Sequence, residues 1–221
     1  MTPRPVEAVL FDLDGTFADT APDMARALNA LRDRRGLAAL PLAAIRPHVS
    51  HGARGMLDVG FGIDMEHESF EALRQAFYIE YEQNLCVESV LFDGIEELVK
   101  ELEFFQITWG IVTNKAARFA KPIAQKLGFA QRAACIVCGD TTAHLKPHPA
   151  PLLHAAELIG IRPGSALYVG DDERDIQAAH AAGMRGVVAA YGYIRPDAVV
   201  HRWQAEFSIS APSELGPLIR P

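Results

Sequence analysis

A short apolar run that ends in two carboxylates, a glycine and a hydroxyl constrains this chain more than any other stretch. The run is Ala8 to Phe11, and Asp12-Leu13-Asp14-Gly15-Thr16 follows it directly. Apolar, partly aromatic residues bounded by a glycine turn predict a buried strand rather than a helix. Side chains two positions apart on an extended chain project to the same side, so we expect Asp12 and Asp14 to face one small space at the end of this strand.

Two carboxylates side by side repel each other, so such a pair is typical of a metal site or of a site where one acid holds a catalytic proton. Gly15 allows a sharp turn, and Thr16 adds a hydroxyl. A surface Asx-turn is disfavoured because it would not follow a fully apolar strand. A calcium loop of the EF-hand type is set aside, because Phe17 stands where that loop needs glycine and Asp23 stands where it needs a longer acid.

Composition bounds the class of protein and the kind of ligand. The 221 residues suffice for one domain, or for one domain that carries an insertion. A hydrophobic share of 49% with 22% charged residues is ordinary for a soluble globular protein. The formal net charge of -7 argues against nucleic acid and anionic membranes as partners, because both would be repelled. Local cations therefore have to bind any anionic substrate.

The sequence predicts neither a membrane span nor a secretion signal. No stretch approaches the roughly 18 apolar residues of a span, and Met1 to Pro5 lead straight into the first strand. The three cysteines are an odd number, which fits a reducing compartment better than a disulfide framework. We therefore expect a cytoplasmic protein in which Cys135 and Cys138 are core strand residues rather than a zinc or redox pair.

Two different patterns divide the rest of the chain. Between Thr16 and about Cys86 the apolar spacing is helical and no strand is predicted, which indicates a compact all-helical insert at residues 18–86. Its predicted helices are Met24–Arg35, Leu42–His48, Ala53–Val59 and Glu66–Asn84.

From Leu91 onward helix and strand patterns alternate. The predicted strands are Thr108–Val112, Cys135–Cys138, Ala166–Val169 and Gly186–Ala190. A first helix is predicted from the spacing of Ile95, Leu98 and Leu102. The other predicted helices are Ala116–Leu127, Pro149–Ile159 and Asp175–Ala182. Three of these helices are followed by a glycine, as helix ends often are. The alternation predicts an α/β fold, a Rossmann-like parallel sheet with helices on both faces, formed by residues 1–17 and 87–221.

Ligands of such sheets bind beyond the carboxyl ends of the strands, so the strand ends define the candidate site. They carry Asp12 and Asp14, then Thr113-Asn114-Lys115, then Lys146 in the loop after Cys138, and finally Asp171, Asp172 and Asp175. Acids alone would indicate a metal site. Acids with a hydroxyl and a lysine indicate a metal together with a phosphate.

This set of residues resembles the four motifs of the haloacid dehalogenase superfamily of aspartate-nucleophile phosphatases, in order and over essentially the whole chain. The resemblance implies that Asp12 is the nucleophile that forms an aspartyl-phosphate. Asp14 would be the general acid for the leaving oxygen and then the base that activates water. Thr113 would bind the phosphoryl group with Asn114 close by, and Lys146 would neutralise it.

The resemblance also implies a Mg²⁺ cofactor. Its ligands would be Asp171, the Asp12 carboxylate and the Asp14 carbonyl. Asp175 would support the metal or the lysine, and Asp172 matches a variable position and is a weaker candidate. A carboxylate is a poor nucleophile toward a dianionic phosphate unless a metal and a lysine cancel the charge, so the implied parts are mutually consistent.

The helical insert resembles the C1 cap of the family, which closes over the site and excludes water. In its loop, Gly52 and Arg54 are the predicted substrate contacts, since arginine pairs bidentately with carboxylate or phosphate. The alternative for Arg54 is a solvated charge on a helix face. Within the superfamily, Tyr191-Gly192-Tyr193 and other motifs resemble the phosphoglycolate phosphatase group. The run Trp109 to Ile123 resembles its N-acetylmuramic acid 6-phosphate phosphatase branch.

The implied function is Mg²⁺-dependent hydrolysis of a small-molecule phosphomonoester, either 2-phosphoglycolate or N-acetylmuramic acid 6-phosphate. A phosphosugar mutase on the same scaffold and a phosphate-sensing protein without turnover are the alternatives. Halide release is disfavoured, because the dehalogenases of this superfamily lack the second acid that Asp14 provides. The sequence leaves the oligomeric state open.

Overall fold

The computed structural model describes residues 5–219. Positions 1–4 and 220–221, which fall within the predicted core segments, lie outside the described residues, and so does most of the stretch Met1 to Pro5. The strands are β1 (Ala8–Phe11), β2 (Ala18–Asp19), β3 (Val90–Leu91), β4 (Thr108–Val112), β5 (Ile136–Val137), β6 (Ala166–Gly170), β7 (Arg185–Ala189) and β8 (Phe207–Ile209). The α-helices are α1 (Ala21–Asp33), α2 (Leu42–Ile45), α3 (Gly52–Phe61), α4 (Phe70–Gln83), α5 (Ile95–Phe104), α6 (Ala117–Lys126), α7 (Ala150–Ile159), α8 (Glu173–Ala182) and α9 (Gly216–Ile219).

Six of the strands form one parallel sheet in the order β5-β4-β1-β6-β7-β8. The central strand β1 pairs with β4 on one side and β6 on the other, so Phe11 lies opposite both Ile111 and Val169. The predicted α/β fold is confirmed. Because β1 is central, Asp12 lies in the middle of the sheet edge, between the carboxyl ends of β4 and β6.

Both faces of the sheet are covered by helices. Val9 and Phe11 belong to the apolar cluster that includes α5 and α6, whereas Leu10 belongs to the cluster that includes α7 and α8. All three side chains are fully buried. Burial on both faces explains why β1 is a continuous apolar run rather than an alternating one.

A two-stranded antiparallel sheet joins the helical insert to the core. Ala18 pairs with Leu91 and Asp19 with Val90, and helices α1 to α4 lie between these strands. The prediction of no strand between Thr16 and Cys86 was therefore wrong at β2. Two residues are too few to show an alternating pattern, and their partner lies in a distant part of the sequence.

Two further helix predictions differ in extent, and one edge strand was not predicted. The helix predicted at Leu42–His48 is α-helical only to Ile45, and a 3₁₀ turn over Arg46–His51 follows, with Pro47 near its start. The helix predicted from Glu66 begins at Phe70, because side chains of Asp64 and His67 accept backbone hydrogen bonds in the preceding turns. The short edge strand β8 was not predicted.

The insert and the core share one hydrophobic cluster. Leu28 and Met56 of the insert and Phe17 and Phe129 of the core all belong to it, and each is at most 2% exposed. Among residues 5–219, the helices are too short or too polar to cross a bilayer.

Candidate active site

Two glycines allow three loops to meet at the carboxyl end of β1. Gly15 has φ +85°, and a Cβ atom there would overlap the Asp171 carboxylate. A Cβ atom at Gly192 would overlap the Gly15 carbonyl oxygen. The loops after β1, β6 and β7 therefore approach each other at a distance that only glycine permits at these two positions.

Lys146 is the cationic centre of the site. Its Nζ lies 2.9 Å from Asp12 Oδ1 and 2.7 Å from Asp175 Oδ1. It also donates to the Tyr168 hydroxyl at 2.7 Å and to the Val112 carbonyl at 3.1 Å. The residue is 4% exposed, so these interactions are shielded from water and correspondingly strong.

Three buried carboxylates surround one point beside this lysine. Asp12, Asp171 and Asp175 each offer an oxygen, and these oxygens lie within 4.8 Å of one another. Asp171 is held by hydrogen bonds from the Tyr193 backbone N–H at 2.8 Å and the Thr16 hydroxyl at 3.2 Å. Such an all-carboxylate donor set is the kind that hard divalent cations prefer.

The electrostatics of the cluster indicate the same ligand. Burial raises the pKa of Asp12 to about 6, although the Lys146 charge opposes the shift. Burial, together with the charges of Asp12 and Asp175, raises the pKa of Asp171 well above its ordinary value. Asp12 Oδ1 receives no directed hydrogen bond from the described residues, despite its ionic contact with Lys146. These residues therefore fit a divalent cation, which would offset the repulsion and give Asp12 a second positive partner beside Lys146.

Asp14 has a different environment from Asp12, although the two acids line the same cavity. Lys115 Nζ lies 2.8 Å from Asp14 Oδ1, and the Thr20 hydroxyl donates to the same oxygen. Its carboxylate lies outside the three-acid cluster. Each acid of the predicted pair thus has a lysine of its own.

Thr113 and Asn114 follow β4 and lie on the cavity wall. Thr113 is 3% exposed, and its hydroxyl accepts from the Lys115 backbone N–H at 3.1 Å. The Asn114 amide makes two hydrogen bonds to the Lys146 main chain, at 2.9 and 3.0 Å. In this arrangement Asn114 positions the lysine, and its contact with substrate stays a prediction.

Asp172 and Asp175 have separate positions at the start of α8. The Asp172 side chain accepts from the Arg174 backbone N–H at 3.0 Å and pairs with the Arg174 Nε at 2.7 Å. Asp175 instead lies with Asp12 and Lys146. Of the two acids that the sequence left open, Asp175 is the one in the cluster.

A cavity of about 300 Å³ between core and insert brings six of the predicted residues together, whereas Lys146, Asp171 and Asp175 do not line it. Those that line it are Asp12, Asp14, Gly52, Arg54, Thr113 and Asn114. Much of the opposite wall is aromatic, with Phe77, Tyr78 and Tyr81 from α4. Gly52 has φ +58° at the start of α3, and Arg54 is exposed at the cavity edge.

Several residues that complete the site had no predicted role. They are Thr20, Ser50, Lys115, Tyr168 and Tyr193. Tyr168 offered a detectable signal, because a tyrosine inside a buried strand needs a partner for its hydroxyl. The others depend on contacts between segments far apart in sequence.

Comparison with known proteins assigns the family. Residues 9–189 match the profile of the haloacid dehalogenase-like hydrolases. This chain belongs to that family. The family expected from the sequence motifs is therefore confirmed.

Two curated relatives of this haloacid dehalogenase-like hydrolase cover nearly the whole chain. An N-acetylmuramic acid 6-phosphate phosphatase of Pseudomonas putida is 43% identical over 97% of this chain and 96% of its own length. A phosphoglycolate phosphatase of Xanthomonas campestris pv. campestris is 48% identical over 94% of each. A crystal structure of a predicted phosphoglycolate phosphatase from Haemophilus somnus has the same fold, with a TM-score of 0.85 and 24% identity over 97% of this chain and 98% of that one. The chain is accordingly a phosphatase, and its relatives carry two different substrate names.

Proposed function

We propose that this haloacid dehalogenase-like phosphatase hydrolyses a small phosphorylated acid or sugar acid through an aspartyl-phosphate on Asp12, with Mg²⁺ as cofactor. The observation that carries the proposal is the position of Lys146, 2.9 Å from Asp12 and 2.7 Å from Asp175, beside the buried carboxylate of Asp171. This arrangement supplies a nucleophile, a fixed positive charge and a cation site within one small volume.

Asp12, Asp171 and the Asp14 carbonyl would hold Mg²⁺, and Asp175 would support Lys146. When bound, the cation offsets the negative charge of the phosphoryl oxygens. Lys146 and Thr113 would hold those oxygens in line with Asp12. The Asn114 amide, the Tyr168 hydroxyl and Asp175 keep the lysine in place, because together they engage both its main chain and its ammonium.

The reaction has two steps. In the first, an Asp12 oxygen attacks phosphorus, the P–O ester bond breaks, and the leaving oxygen takes a proton from Asp14. In the second, Asp14 takes a proton from a water molecule as that water attacks the same phosphorus. The bond to Asp12 then breaks, and inorganic phosphate and the free carboxylate are formed.

The insert at residues 18–86 is proposed as the cap that excludes water during these steps. Ser50, on the turn before α3, donates to Asp171 Oδ2 at 3.0 Å, and Gly52 and Arg54 follow within four residues. We propose that Gly52 and Arg54 contact the substrate. A lid is useful here because water competes with the alcohol for the phosphoryl group and screens the charges of the site.

The cavity has room for a small organic leaving group. Its volume of about 300 Å³ is at the lower end of the range typical of small-ligand sites, about 300–1,000 Å³. Its aromatic wall offers an apolar face, and Arg54 and Lys115 offer positive charge. Both candidates, 2-phosphoglycolate and N-acetylmuramic acid 6-phosphate, carry a carboxylate that such cations would bind.

Phosphate release with Mg²⁺ from these two substrates tests the proposal, and their relative kcat/KM values identify the preferred one. Asp12→Asn is expected to lower turnover by at least about a thousandfold and to prevent phosphoryl transfer to the protein, seen by intact mass. Asp33→Asn, at the exposed end of α1, is the matched control. If Asp12→Asn keeps its activity, the nucleophile assignment is wrong. Slow phosphate release with transfer to a sugar would indicate the mutase alternative.

A further inference from the structure

Lys115 is a buried lysine in the cavity wall, and a buried ammonium needs partners that replace water. It follows β4 and lines the cavity, and its side chain is only 7% exposed. The ammonium lies 2.8 Å from Asp14 Oδ1 and 4.9 Å from the centre of the Tyr81 ring. The Asp14 carboxylate at this distance stabilises the positive charge of Lys115 in the cavity wall.

The donors of this ammonium are only partly used. A lysine has three N–H groups, and one is taken by Asp14 Oδ1. Within the described residues, its other side-chain acceptor is the Met24 sulfur at 3.9 Å, which is a weak one. The neighbouring Tyr81 hydroxyl is also buried, and it has no hydrogen-bond partner in this part of the chain. Unsatisfied buried polar groups in a ligand cavity indicate that a ligand supplies the missing acceptors.

The other cations around the cavity are engaged elsewhere or lie at its edge. Arg174 pairs with Asp172. Arg74 pairs with Glu71 at 2.8 Å, and although its Nε has no hydrogen-bond partner among the described residues, its side chain is 38% exposed. Arg54 lines the cavity but is exposed. Among the residues that the structure describes, Lys115 is thus the buried lining cation with unused donors.

The distance from Lys115 to the reacting atoms limits what it can bind. In the proposed reaction, Asp14 protonates the ester oxygen and must come within hydrogen-bond reach of it, about 2.6–3.2 Å. Lys115 is 2.8 Å from Asp14 Oδ1, and the other oxygen of that carboxylate lies about 2.2 Å from Oδ1, so the ammonium lies within roughly 8 Å of the ester oxygen. A carboxylate attached to the first carbon of the leaving group falls inside this distance.

We propose that Lys115 binds a carboxylate of the leaving group next to the ester oxygen, and that this contact makes the site selective for 2-phosphoryloxy acids. The inference rests on the proposed phosphatase reaction and adds the residue that recognises the leaving group. A charge-assisted hydrogen bond in a buried cavity is strong enough to discriminate, because a substrate without the carboxylate leaves the remaining donors of the ammonium unsatisfied.

The test compares 2-phosphoglycolate with ethyl phosphate, which has a methyl group in place of the carboxylate. We expect the wild type to prefer 2-phosphoglycolate, and Lys115→Met to lower the ratio of the two kcat/KM values by about 10- to 100-fold. Any effect of the variant on Asp14 acts on both substrates and cancels in the ratio. Lys121→Met, at an exposed position of α6 away from the cavity, is the matched control, and its ratio is expected to change by less than about threefold.

The outcomes separate the two proposals. If the wild type with Mg²⁺ releases phosphate from neither substrate nor from a generic phosphomonoester, the proposed function fails. If it does turn over but shows no preference, or if Lys115→Met leaves the ratio unchanged, only the role of Lys115 is refuted. If Lys115→Met has no measurable turnover, binding is measured instead. The affinities of 2-phosphoglycolate and ethyl phosphate are then compared between Asp12→Asn and the double variant Asp12→Asn/Lys115→Met. An unchanged affinity ratio there also refutes the role.

Discussion

Ser50 in the helical insert donates a hydrogen bond of 3.0 Å to Asp171 Oδ2 in the α/β core. The carbonyl of Ser50 accepts in turn from Arg174 of α8 at 2.9 Å. Asp171 is 2% exposed and belongs to the three-carboxylate cluster. The insert therefore contacts the proposed cation site directly. A movement of the insert away from the core would break the hydrogen bond from Ser50 and change the environment of Asp171.

Ser50→Ala tests this link. Loss of one hydrogen bond to a carboxylate is expected to lower kcat/KM by about 3- to 10-fold, because the insert is then held less firmly over the site. Steady-state phosphate release measures the effect. Ser208→Ala, on the exposed face of β8, is the control and should leave the kinetics unchanged. Equal kinetics for both variants would contradict the link.

Cation binding should be visible without turnover. If Mg²⁺ binds at Asp12, Asp171 and the Asp14 carbonyl, adding it to chelator-treated wild type should raise Tm, because a ligand of the native state stabilises it. Asp171→Asn should abolish this increase. In metal-free buffer that variant should be at least as stable as the wild type, since it carries one buried charge fewer. A full Mg²⁺ effect on Tm in Asp171→Asn would place the cation elsewhere.

Lys146 should be essential for stability as well as for activity. Lys146→Met leaves Asp12 and Asp175 buried without their shared cation, which is expected to cost about 3–5 kcal/mol of unfolding free energy. Urea unfolding measures the change. Lys100→Met removes a lysine that is 64% exposed and 3.5 Å from Glu96, and should cost less than about 0.5 kcal/mol.

A second variant tests whether the loss of stability in Lys146→Met comes from the unpaired carboxylates. Adding Asp175→Asn to Lys146→Met removes one of the two unpaired carboxylates, so part of the lost stability should return. Additive losses in the double variant would mean that Lys146 stabilises the fold through packing of its side chain rather than through its charge.

Asp23 should make the stability of the protein depend on pH. It is 1% exposed, and its carboxylate accepts from the backbone N–H groups of Val87, Glu88 and Ser89, at 2.8 to 3.2 Å. Burial alone would raise the pKa of Asp23, but hydrogen bonds from Ser89, Glu88 and Arg26 outweigh it and hold the pKa below its ordinary value.

A carboxyl group whose pKa is lower in the folded state stabilises the fold above its unfolded pKa, about 3.9 for Asp, and this stabilisation is lost as pH falls through the folded pKa. Asp23→Asn should therefore cost about 1–3 kcal/mol near neutral pH, and the difference from wild type should shrink below about pH 4. Urea unfolding at several pH values measures it. Asp58→Asn, exposed on α3, is the control. A difference that is constant with pH would show that the charge of Asp23 is not the cause.

The sequence predicted most of the fold because burial leaves a local pattern. The apolar run of β1, the glycine turn after it and the helical spacing around Leu28 each involve a few neighbouring residues. The strand-end rule then collected Asp12, Thr113, Lys146 and Asp171. The strands β2 and β8 were not predicted because they are short, and two or three residues show no periodic pattern.

The sequence by itself determined that two acids stand at the end of a buried strand, with a lysine, a hydroxyl and further acids at other strand ends. Only the tertiary structure decided their partners. It pairs Asp12 with Lys146 and Asp14 with Lys115, and it places Ser50 on Asp171. Periodicity encodes which face of an element is buried, whereas these contacts join segments that are more than a hundred residues apart. Their distances depend on how strands and insert pack together, and no local pattern records that packing.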